Sequence, residues 1–562
     1  MFWRKQKKKE VSFDEILLDA SNLPSFNQGR LEGRIELPIA KRNIAFVGIL
    51  FGCVSVLFLY TLFNLQVVEG VKYKDISENN TIDQTTIIAE RGVVYDRNGE
   101  LVAWNEDDKS DEYSFPMRAY TNRRGLGQLT GYVSYPLKDS KGFYYRTEYL
   151  GRNGVEGAYD AVLKGVNGQQ LVEANAHGDV VGEHVVEPPE AGAPLHLSID
   201  AELSEAMYDI IATATAKAGF RSGAAAIMDV HTGEILAMTS FPSYDPEVMA
   251  DGDDVALINT YNTDERFPFL NKVLGGVYTP GSIVKPFIAY AALAENIISP
   301  DKVIVSNGYI LLPNPYDPEK PTKFVDWRVQ GPMTMREAIA FSSNVYFYII
   351  GGGFGDQKGL GITKIKDYMT RFGLGTKTGI LLSGEQAGTV PDPAWKQEVF
   401  EDDWRLGDTY HTSIGQFGFQ TTPLQMLRAY GAIANGGQLF VPHVEQGKTG
   451  TSTDLGLQES YLEIVRQGMR KTVNFDGGTA RAFDRKDVAI AAKSGTAELG
   501  VDNAYVNSWA AGFFPYENPQ YAFILMMDKA PRSNALGGTR VMGDIVEWMS
   551  IHTPQYLGIS QH

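Results

Sequence analysis

The sequence predicts an α+β protein held in a membrane by one N-terminal helix, and three observations lead to this prediction. Residues 44–63 form an uncharged apolar run. Residues 66–194 are rich in glycine and in short strand-like segments, without a long amphipathic helix. From residue 195 onward, strands precede a block of helices and more strands follow, an order typical of an antiparallel sheet flanked by helices. We expect four regions: a cytoplasmic tail (1–43), a transmembrane anchor (44–65), a mostly-β pedestal domain for interaction rather than catalysis (66–194) and the α+β domain (195–562).

Composition argues against several classes of function. The net charge of −17 at pH 7 argues against nucleic acid as a partner. The one cysteine, Cys53, lies inside the apolar run, so a disulfide framework is impossible. The eight histidines are scattered, without a close pair of the kind that binds a metal. We therefore expect neither a cofactor nor a metal ion.

The apolar run, residues 44–63, has the length of a membrane-spanning helix. At about 1.5 Å per residue, it crosses a hydrocarbon core of about 30 Å. Lys41 and Arg42 precede it and residues of mixed charge follow, which predicts an N-terminus in the cytoplasm. No small-residue cleavage site follows, so we expect a retained anchor. The stretch 50–53 faintly resembles a lipoprotein cleavage box, but the apolar run continues well past Cys53.

Short patterns predict the elements of the pedestal. Residues 91–103 read as two strands joined by an Asn-Gly hairpin turn. Residues 154–163 predict a short helix, and the proline and glycine of 186–194 indicate a linker.

The second region begins with a predicted strand at 195–199 and an amphipathic helix at 201–216, capped by Asp200. A buried antiparallel hairpin is predicted for 223–230 and 234–239. The remaining predicted elements are helices at 283–296, 334–350, 363–372, 422–435 and 459–473, and strands at 488–492, 508–514 and 521–528.

Ser282-x-x-Lys285, at the start of an apolar helix, is the first candidate for chemistry. Residues three apart at a helix start share a face, so the lysine amine can lie within hydrogen-bond reach of the serine hydroxyl. A serine nucleophile needs such a base, and burial can lower the pKa of a lysine enough to supply it. Ser299-x-x-Lys302 has the same spacing but lies in a loop rich in proline and aspartate.

Two further polar motifs lie in apolar surroundings. Ser342-Ser-Asn344 lies in the apolar setting of the helix predicted at 334–350, where unpaired polar groups cost about 1–3 kcal/mol each, so a function or a satisfied helix end is expected. Lys-Thr/Ser-Gly occurs three times, at Lys377, Lys448 and Lys493, and only Lys493 ends a predicted apolar strand. There, the bare Gly495 would let a substrate strand approach closely.

In this order, with Ser342 lying 60 residues after Ser282 and Lys493 lying 211 residues after it, the three motifs resemble the set found in penicillin-binding proteins and class A β-lactamases. The anchor and residues 91–99, 154–156 and 241–246 look like class B, the monofunctional penicillin-binding proteins. No stretch resembles the lysozyme-like glycosyltransferase domain of class A. The elongation type is favoured over the division type by Trp327, 347–348, 378–380, 407–409, 413–416 and 493–498. Some elongation-type members hold zinc through a cysteine, but Cys53 lies in the predicted anchor, so we expect none here.

The resemblance implies a peptidoglycan D,D-transpeptidase that acts through an acyl-serine intermediate on D-Ala-D-Ala. It implies partners as well: peptidoglycan stem peptides on lipid-linked or nascent glycan, β-lactam inhibitors, and a polytopic SEDS-family glycan polymerase bound through the anchor and pedestal. The implied roles are Ser282 as nucleophile, Lys285 as base, Ser342 as proton relay, Asn344 as ligand of the stem amide, Lys493, Ser494 and Thr496 as ligands of the terminal carboxylate, and the N–H groups of Ser282 and Thr496 as the oxyanion hole.

Two alternatives share these residues. A β-lactamase or β-lactam sensor would use the same site, although we find no clear Glu-x-x-x-Asn element for deacylation and hydrolysis needs no large pedestal. A non-catalytic scaffold for wall assembly would need only the anchor and pedestal, but all the motif residues are present.

Overall fold

The computed structural model describes residues 41–71, 82–107, 115–138, 144–174, 180–314, 317, 319–534 and 536–559. Most of the predicted cytoplasmic tail therefore lies outside the described residues. The chain separates into two units, one formed by residues 1–83 and 172–182 and the other by 84–171 and 183–562.

The first unit contains the predicted anchor. Helix α1, Lys41–Phe63, continues as a π-helical turn, Asn64–Val68. Together they form the one described helix that is long and apolar enough to cross a membrane. The prediction of a long apolar helix at this point of the chain is confirmed.

Short strands dominate the chain between the anchor and residue 196. A four-stranded sheet has the order β11-β2-β3-β4, with β2 and β3 forming the predicted hairpin across Asn98-Gly99. Its last strand in the chain, β11, pairs in parallel with β2, so this part of the predicted 195–199 strand belongs to the pedestal sheet. The strands are β1 Ile82–Ile87, β2 Val94–Tyr95, β3 Leu101–Glu106, β4 Met117–Tyr120, β5 Tyr132–Ser134, β6 Leu137–Lys138, β7 Tyr144–Arg146, β8 Leu150–Arg152, β9 Gly168–Ala174, β10 Val180–Glu187 and β11 Leu195–His196; the helices are α2 Gly127–Thr130, α3 Gly154–Ala158 and α4 Asp160–Leu163.

A buried ion-pair cluster lies beside this sheet. The Glu156 carboxylate accepts hydrogen bonds from Arg91 Nε at 2.5 Å and from Arg118 Nε at 2.7 Å, and all three side chains are fully buried. Arg91 also pairs with Asp160 at 2.8 Å. Two guanidinium groups without access to water depend on these carboxylates, because an uncompensated buried charge is strongly destabilising.

The second region is built on a five-stranded antiparallel sheet of order β13-β12-β22-β21-β20. Alternate residues of each strand enter two separate cores: on β22, Ile524 faces one core and Leu525 the other. Strand β20 lies at the edge of the sheet. The antiparallel pairing of all five strands confirms the predicted α+β class with an antiparallel sheet. The strands are β12 Ser222–Asp229, β13 Ile235–Phe241, β14 Ile304–Ser306, β15 Tyr309–Leu312, β16 Thr322–Val325, β17 Gly331–Met333, β18 Gln438–Phe440, β19 Ser452–Asp454, β20 Ala491–Leu499, β21 Tyr505–Phe514 and β22 Tyr521–Pro531.

Helices cover both faces of this sheet. Helices α5 and α16 pack on one face, and a helical block that includes α8, α14 and α15 packs on the other. Asp200 caps α5 as predicted, accepting a hydrogen bond from Leu203 N. The helices are α5 Ala201–Ala218, α6 Pro246–Asp251, α7 Val255–Thr263, α8 Lys285–Ala294, α9 Met335–Phe341, α10 Asn344–Gly352, α11 Ile362–Arg371, α12 Pro393–Phe400, α13 Leu406–Ser413, α14 Pro423–Ala434, α15 Glu459–Asn474 and α16 Gly538–His552.

Three predicted elements differ from the structure. The helix predicted at 334–350 is two helices, because Ser342 adopts a left-handed conformation (φ 57°) and Ser343 caps the second helix. The strand predicted at 488–492 begins at Ala491 and runs to Leu499, so Lys493 lies inside the strand rather than at its end. The helix predicted at 154–163 is two short pieces that meet at Tyr159.

Glu156→Gln should lower the free energy of unfolding by about 3–5 kcal/mol, because it leaves two buried guanidinium groups short of negative charge. Urea denaturation followed by tryptophan fluorescence would measure the loss. Glu148→Gln is the matched control: its ion pair with Lys164 is exposed, and such pairs contribute about 0–1 kcal/mol. Equal losses in the two variants would contradict the importance of the buried cluster.

Candidate active site

Ser282 lies in a 3-10 turn, Gly281–Val284, that leads directly into α8. Its side chain is partly exposed and lines a cleft of about 1050 Å³. The turn packs beside the edge strand β20, and residues of both line the cleft. The packing of this turn therefore places the candidate nucleophile beside an edge of the sheet.

Close backbone packing holds this turn in place. Gly281 N–H donates to Gly415 O at 2.9 Å, and Tyr430 OH donates to Ile283 O at 2.8 Å. A Cβ atom on Gly281 would lie 2.6 Å from Thr496 O, and one on Gly415 would lie 2.2 Å from Gly281 O. Both glycines have positive φ, so glycine is needed there for conformation as well as for space.

Ser342 and Asn344 lie at the break between α9 and α10. The left-handed conformation of Ser342 ends α9 and turns its side chain toward Lys285 and Lys493. Ser343 Oγ accepts a hydrogen bond from Tyr346 N and so caps α10, while Asn344 occupies its first position. Both Ser342 and Asn344 line the cleft with Ser282.

The amine of Lys285 is fully buried behind the cleft. It donates to Ser342 O at 2.8 Å, to Asn344 Oδ1 at 2.8 Å and to Ser342 Oγ at 3.4 Å. The Ser-x-x-Lys motif and the Ser-x-Asn motif are thus joined by three contacts of one amine.

Lys493, on β20, reaches the same hydroxyl. Its amine, also fully buried, donates to Ser342 Oγ at 2.8 Å and to Ser494 O at 2.8 Å. Two amines from distant parts of the chain therefore meet at one serine hydroxyl. Since both donate to Ser342 Oγ, the hydrogen of that hydroxyl remains available to another acceptor.

Burial shifts both amines toward the neutral form. Burial lowers the pKa of Lys285 to about 7, although the nearby carboxylate of Asp326 opposes this effect. Burial, and then the positive charge of Lys285, lower the pKa of Lys493 well below its usual value. Lys285 also has the carboxylate of Asp326 nearby, which favours its charged form and raises its pKa against the effect of burial.

Residues that follow Lys493 on β20 also line the cleft, namely Ser494, Gly495 and Thr496. Ser494 Oγ donates to Thr479 Oγ1 at 2.6 Å, and Thr496 is exposed. Gly495 is also closely packed against the turn that carries Ser282. A Cβ there would lie 2.7 Å from Ile283 Cγ2, so this glycine gives room to the turn that carries Ser282.

The rival copies of the motifs lie outside the described lining of the cleft. Lys448 is exposed and pairs with Glu445, and Lys377 is exposed in a loop. Lys302 donates to Gln357 at the surface, close to the exposed Ser299. Of the three Lys-Thr/Ser-Gly motifs, Lys493 is the one whose amine is buried against Ser342.

Sequence reasoning missed two residues of the site. Thr479 and Asp326 both line the cleft: Thr479 accepts a hydrogen bond from Ser494, and Asp326 accepts hydrogen bonds from Ser343 and Asn344. Asp326 directly precedes Trp327, one of the residues that favour the elongation type. A single acid in a polar loop carries no periodic signal, so only tertiary structure reveals its position.

Comparison with known protein families gives two matches. Residues 223–547 match the penicillin binding protein transpeptidase domain, and residues 111–197 match the penicillin-binding protein dimerisation domain. The first match covers more than half of the chain and contains every motif residue named above. The chain belongs to the penicillin-binding protein transpeptidase family.

Individual relatives agree with this family over most of their length. The peptidoglycan D,D-transpeptidase MrdA of Escherichia coli K12 is 29% identical, over 89% of this chain and 92% of that protein. Penicillin-binding protein PBP2 of Helicobacter pylori, solved in complex with MreC, is 25% identical with a TM-score of 0.70, over 84% of this chain and 100% of that one. A chain of a peptidoglycan synthase complex, described as coordinating polymerization and crosslinking, is 25% identical with a TM-score of 0.71, over 92% and 99%. These matches confirm the resemblance to class B and to its elongation type.

Lys493→Ala should reduce the rate of labelling by a fluorescent penicillin by at least about 10²-fold, because it removes a buried donor at the reacting centre. Lys377→Ala and Lys448→Ala are matched controls in the same tripeptide and should stay within about twofold of the unmodified protein. In-gel fluorescence over time would give the three rates. Equal losses in all three would mean that the wrong motif was chosen.

Proposed function

We propose that this protein is a serine-type peptidoglycan D,D-transpeptidase that cross-links stem peptides during cell elongation. The observation that carries the proposal is the meeting of Lys285 and Lys493 at the Ser342 hydroxyl, in the cleft that Ser282 lines. Similarity to MrdA along most of the chain supports the substrate and the process.

In the proposed acylation, Ser282 Oγ attacks the carbonyl carbon of the penultimate D-Ala. Lys285 takes the serine proton, since a pKa of about 7 leaves much of this amine neutral at neutral pH. The C–N bond to the terminal D-Ala then breaks, and the leaving amine needs a proton. Ser342, hydrogen-bonded to both lysines, is the proposed relay that delivers it.

The backbone N–H groups of Ser282 and Thr496 are the proposed oxyanion hole. Gly281 packs against Thr496, which keeps these two backbone segments adjacent. Donors of this kind are typically worth about 2.7–4 kcal/mol each in the transition state. In the second half-reaction an amine from a neighbouring stem attacks the acyl-serine, and the same groups act in reverse order.

The remaining motif residues are proposed ligands of the donor stem. Asn344 is held by Lys285 through its Oδ1 atom, and its amide nitrogen, which has no partner among the described residues, is proposed to bind the peptide. Ser494 and Thr496, with Lys493 behind them, are proposed to bind the terminal carboxylate, and Gly495 completes the strand between them. A bound carboxylate would favour the charged form of Lys493, offsetting its burial.

Ser282→Ala should abolish covalent labelling by a fluorescent penicillin, and peptide mapping of the unmodified protein should place the adduct on the peptide that contains Ser282. The reason is that Ser282 is the proposed nucleophile, and its side chain lines the same cleft as Ser342 and Asn344. Ser299→Ala is the control and should label normally. An adduct on Ser299, or unchanged labelling of the Ser282 variant, would contradict the proposed nucleophile.

The lifetime of the same adduct separates the transpeptidase from its nearest alternative. A β-lactamase must release its acyl group rapidly, whereas a transpeptidase deprived of its acceptor keeps it. We expect an adduct that persists over many minutes after excess penicillin is removed. Release within seconds would favour the β-lactamase, and cross-linked muropeptides formed from a lipid-linked stem would support the transpeptidase directly.

We further propose that the tail, 1–43, is cytoplasmic, and that the pedestal, 66–194, and the transpeptidase domain, 195–562, lie outside the inner membrane. The basic pair Lys41 and Arg42 just before the apolar run supports this orientation. A polytopic glycan polymerase of the SEDS family is the proposed partner of anchor and pedestal. The match to a chain of a peptidoglycan synthase complex supports a partner of this kind.

In a Cys53→Ser background, Lys448→Cys should react with a membrane-impermeant maleimide in spheroplasts, because Lys448 is exposed in the domain proposed to face outward. Lys7→Cys, in the tail, should react only after lysis. Mass shifts on a gel would report both reactions. The opposite pattern would reverse the proposed orientation.

A further inference from the structure

One carboxylate in the wall of the cleft accepts hydrogen bonds from three separate segments. Asp326, which follows β16, accepts from Ser306 Oγ at the end of β14, at 3.1 Å. Its own loop adds Trp327 N at 3.0 Å and Gln330 Nε2 at 3.2 Å. The side chain is almost fully buried, so these donors replace water around it.

The start of α10 supplies the remaining donors. Ser343 Oγ donates to Asp326 Oδ2 at 2.6 Å, Asn344 N to Oδ1 at 2.9 Å and Val345 N to Oδ2 at 3.1 Å. The first N–H groups of a helix have no partner within it, and its positive end favours an anion. Asp326 therefore fixes the N-terminus of α10 from outside the helix.

The fixed segment is the one that holds the Lys285 amine. Two of its three acceptors, Ser342 O and Asn344 Oδ1, flank Ser343, whose hydroxyl makes the shortest of the bonds to Asp326. On the other side of the break, Trp327 Nε1 donates to Phe341 O at 3.1 Å. Asp326 and Trp327 thus hydrogen-bond to the two helix ends that meet at Ser342, the start of α10 and the end of α9.

We propose that Asp326 is a positioning residue for acylation: it holds the Ser342–Asn344 turn against the Lys285 amine and supplies the negative charge that this amine faces. The inference rests on the proposed transpeptidase function and adds to it a residue outside the three motifs. Asp326 acts through Ser343 and Asn344 and needs no contact with substrate.

Two charged groups face the Lys285 amine, and a third neighbour is apolar. Asp326 approaches from the loop after β16, Lys493 from β20, and the ring of Phe347 on α10 lies with its centre 5.4 Å away. Burial lowers the pKa of Lys285 to about 7, and Asp326 opposes that shift. Loss of the carboxylate charge should therefore lower this pKa further, since the ammonium form loses the favourable negative charge of Asp326.

The test is the rate of acylation by a fluorescent penicillin as a function of pH, on the full-length protein in detergent. We expect the acidic limb of the unmodified protein to have its midpoint near pH 7. In Asp326→Asn the midpoint should move to lower pH, and the plateau should fall by about 10²-fold because the amine and the turn lose their alignment.

Three further variants separate charge from position. Asp326→Glu keeps the charge but displaces it, so the midpoint should stay while the plateau falls. Ser343→Ala removes one bond to the carboxylate and should lower the plateau without moving the midpoint; it serves if Asp326→Asn does not fold. Asp301→Asn, at the exposed ion pair with Arg336, is the charge-matched control and should change neither quantity.

The outcomes distinguish this inference from the function on which it rests. If the unmodified protein is not acylated, the proposed function fails. If it is acylated at Ser282 but Asp326→Asn and Ser343→Ala keep both the plateau and the midpoint, the positioning role is overturned. A fall in the plateau that matches the loss of folded protein in thermal unfolding, with an unmoved midpoint in Asp326→Asn, would also overturn it.

Discussion

Two lysine amines buried against one serine hydroxyl are the constraint on which the rest of this structure depends. Each amine has lost its contact with water, and each replaces it with acceptors contributed by other segments. Such an arrangement is stable only when every partner is held in place, since a buried charge without acceptors costs several kcal/mol. The rigid surroundings of the cleft follow from this requirement.

The surroundings supply that rigidity through backbone rather than through side chains alone. Gly281 and Gly415 bring the Ser282 turn against the loop after α13, and Gly495 lets the same turn pack against β20. Three elements that are far apart in the chain thereby share one small volume. Larger residues at these points would separate the hydroxyl of Ser282 from the amines that are proposed to activate it.

Much of this architecture could be predicted from the sequence, and what could not has identifiable physical causes. Period and composition predicted the anchor, the β12–β13 hairpin and most helices, because burial of one face leaves a local pattern. The break at Ser342 was missed because apolar residues continue across it, and only contacts with distant groups favour its left-handed conformation. The extent of β20 was not predicted because the residues of this strand that line the cleft are polar. They break the apolar pattern by which a buried strand is recognised in a sequence.

The candidate site divides in the same way. Ser282, Lys285, Ser342, Asn344 and Lys493 were accessible through spacing and resemblance, and the structure brings them to one cleft. Asp326 and Thr479 were not accessible, since neither stands in a repeating pattern. Arg91 and Glu156 form an intermediate case. The motifs that contain them resemble the family but indicate no role for either residue. The structure shows that the two side chains form a buried ion pair in the pedestal, across 65 residues of the chain.

Strand β20 ends its sheet on the side of the cleft, and that position has a consequence for the protein in its crowded surroundings. The open edge of a strand offers its unpaired backbone groups to any extended polypeptide nearby. The far end of β20 carries Glu498, paired with Arg532 at 2.9 Å, and charges of this kind discourage strand-to-strand association. The edge strand thus combines an open border beside the cleft with a charged end that resists self-association.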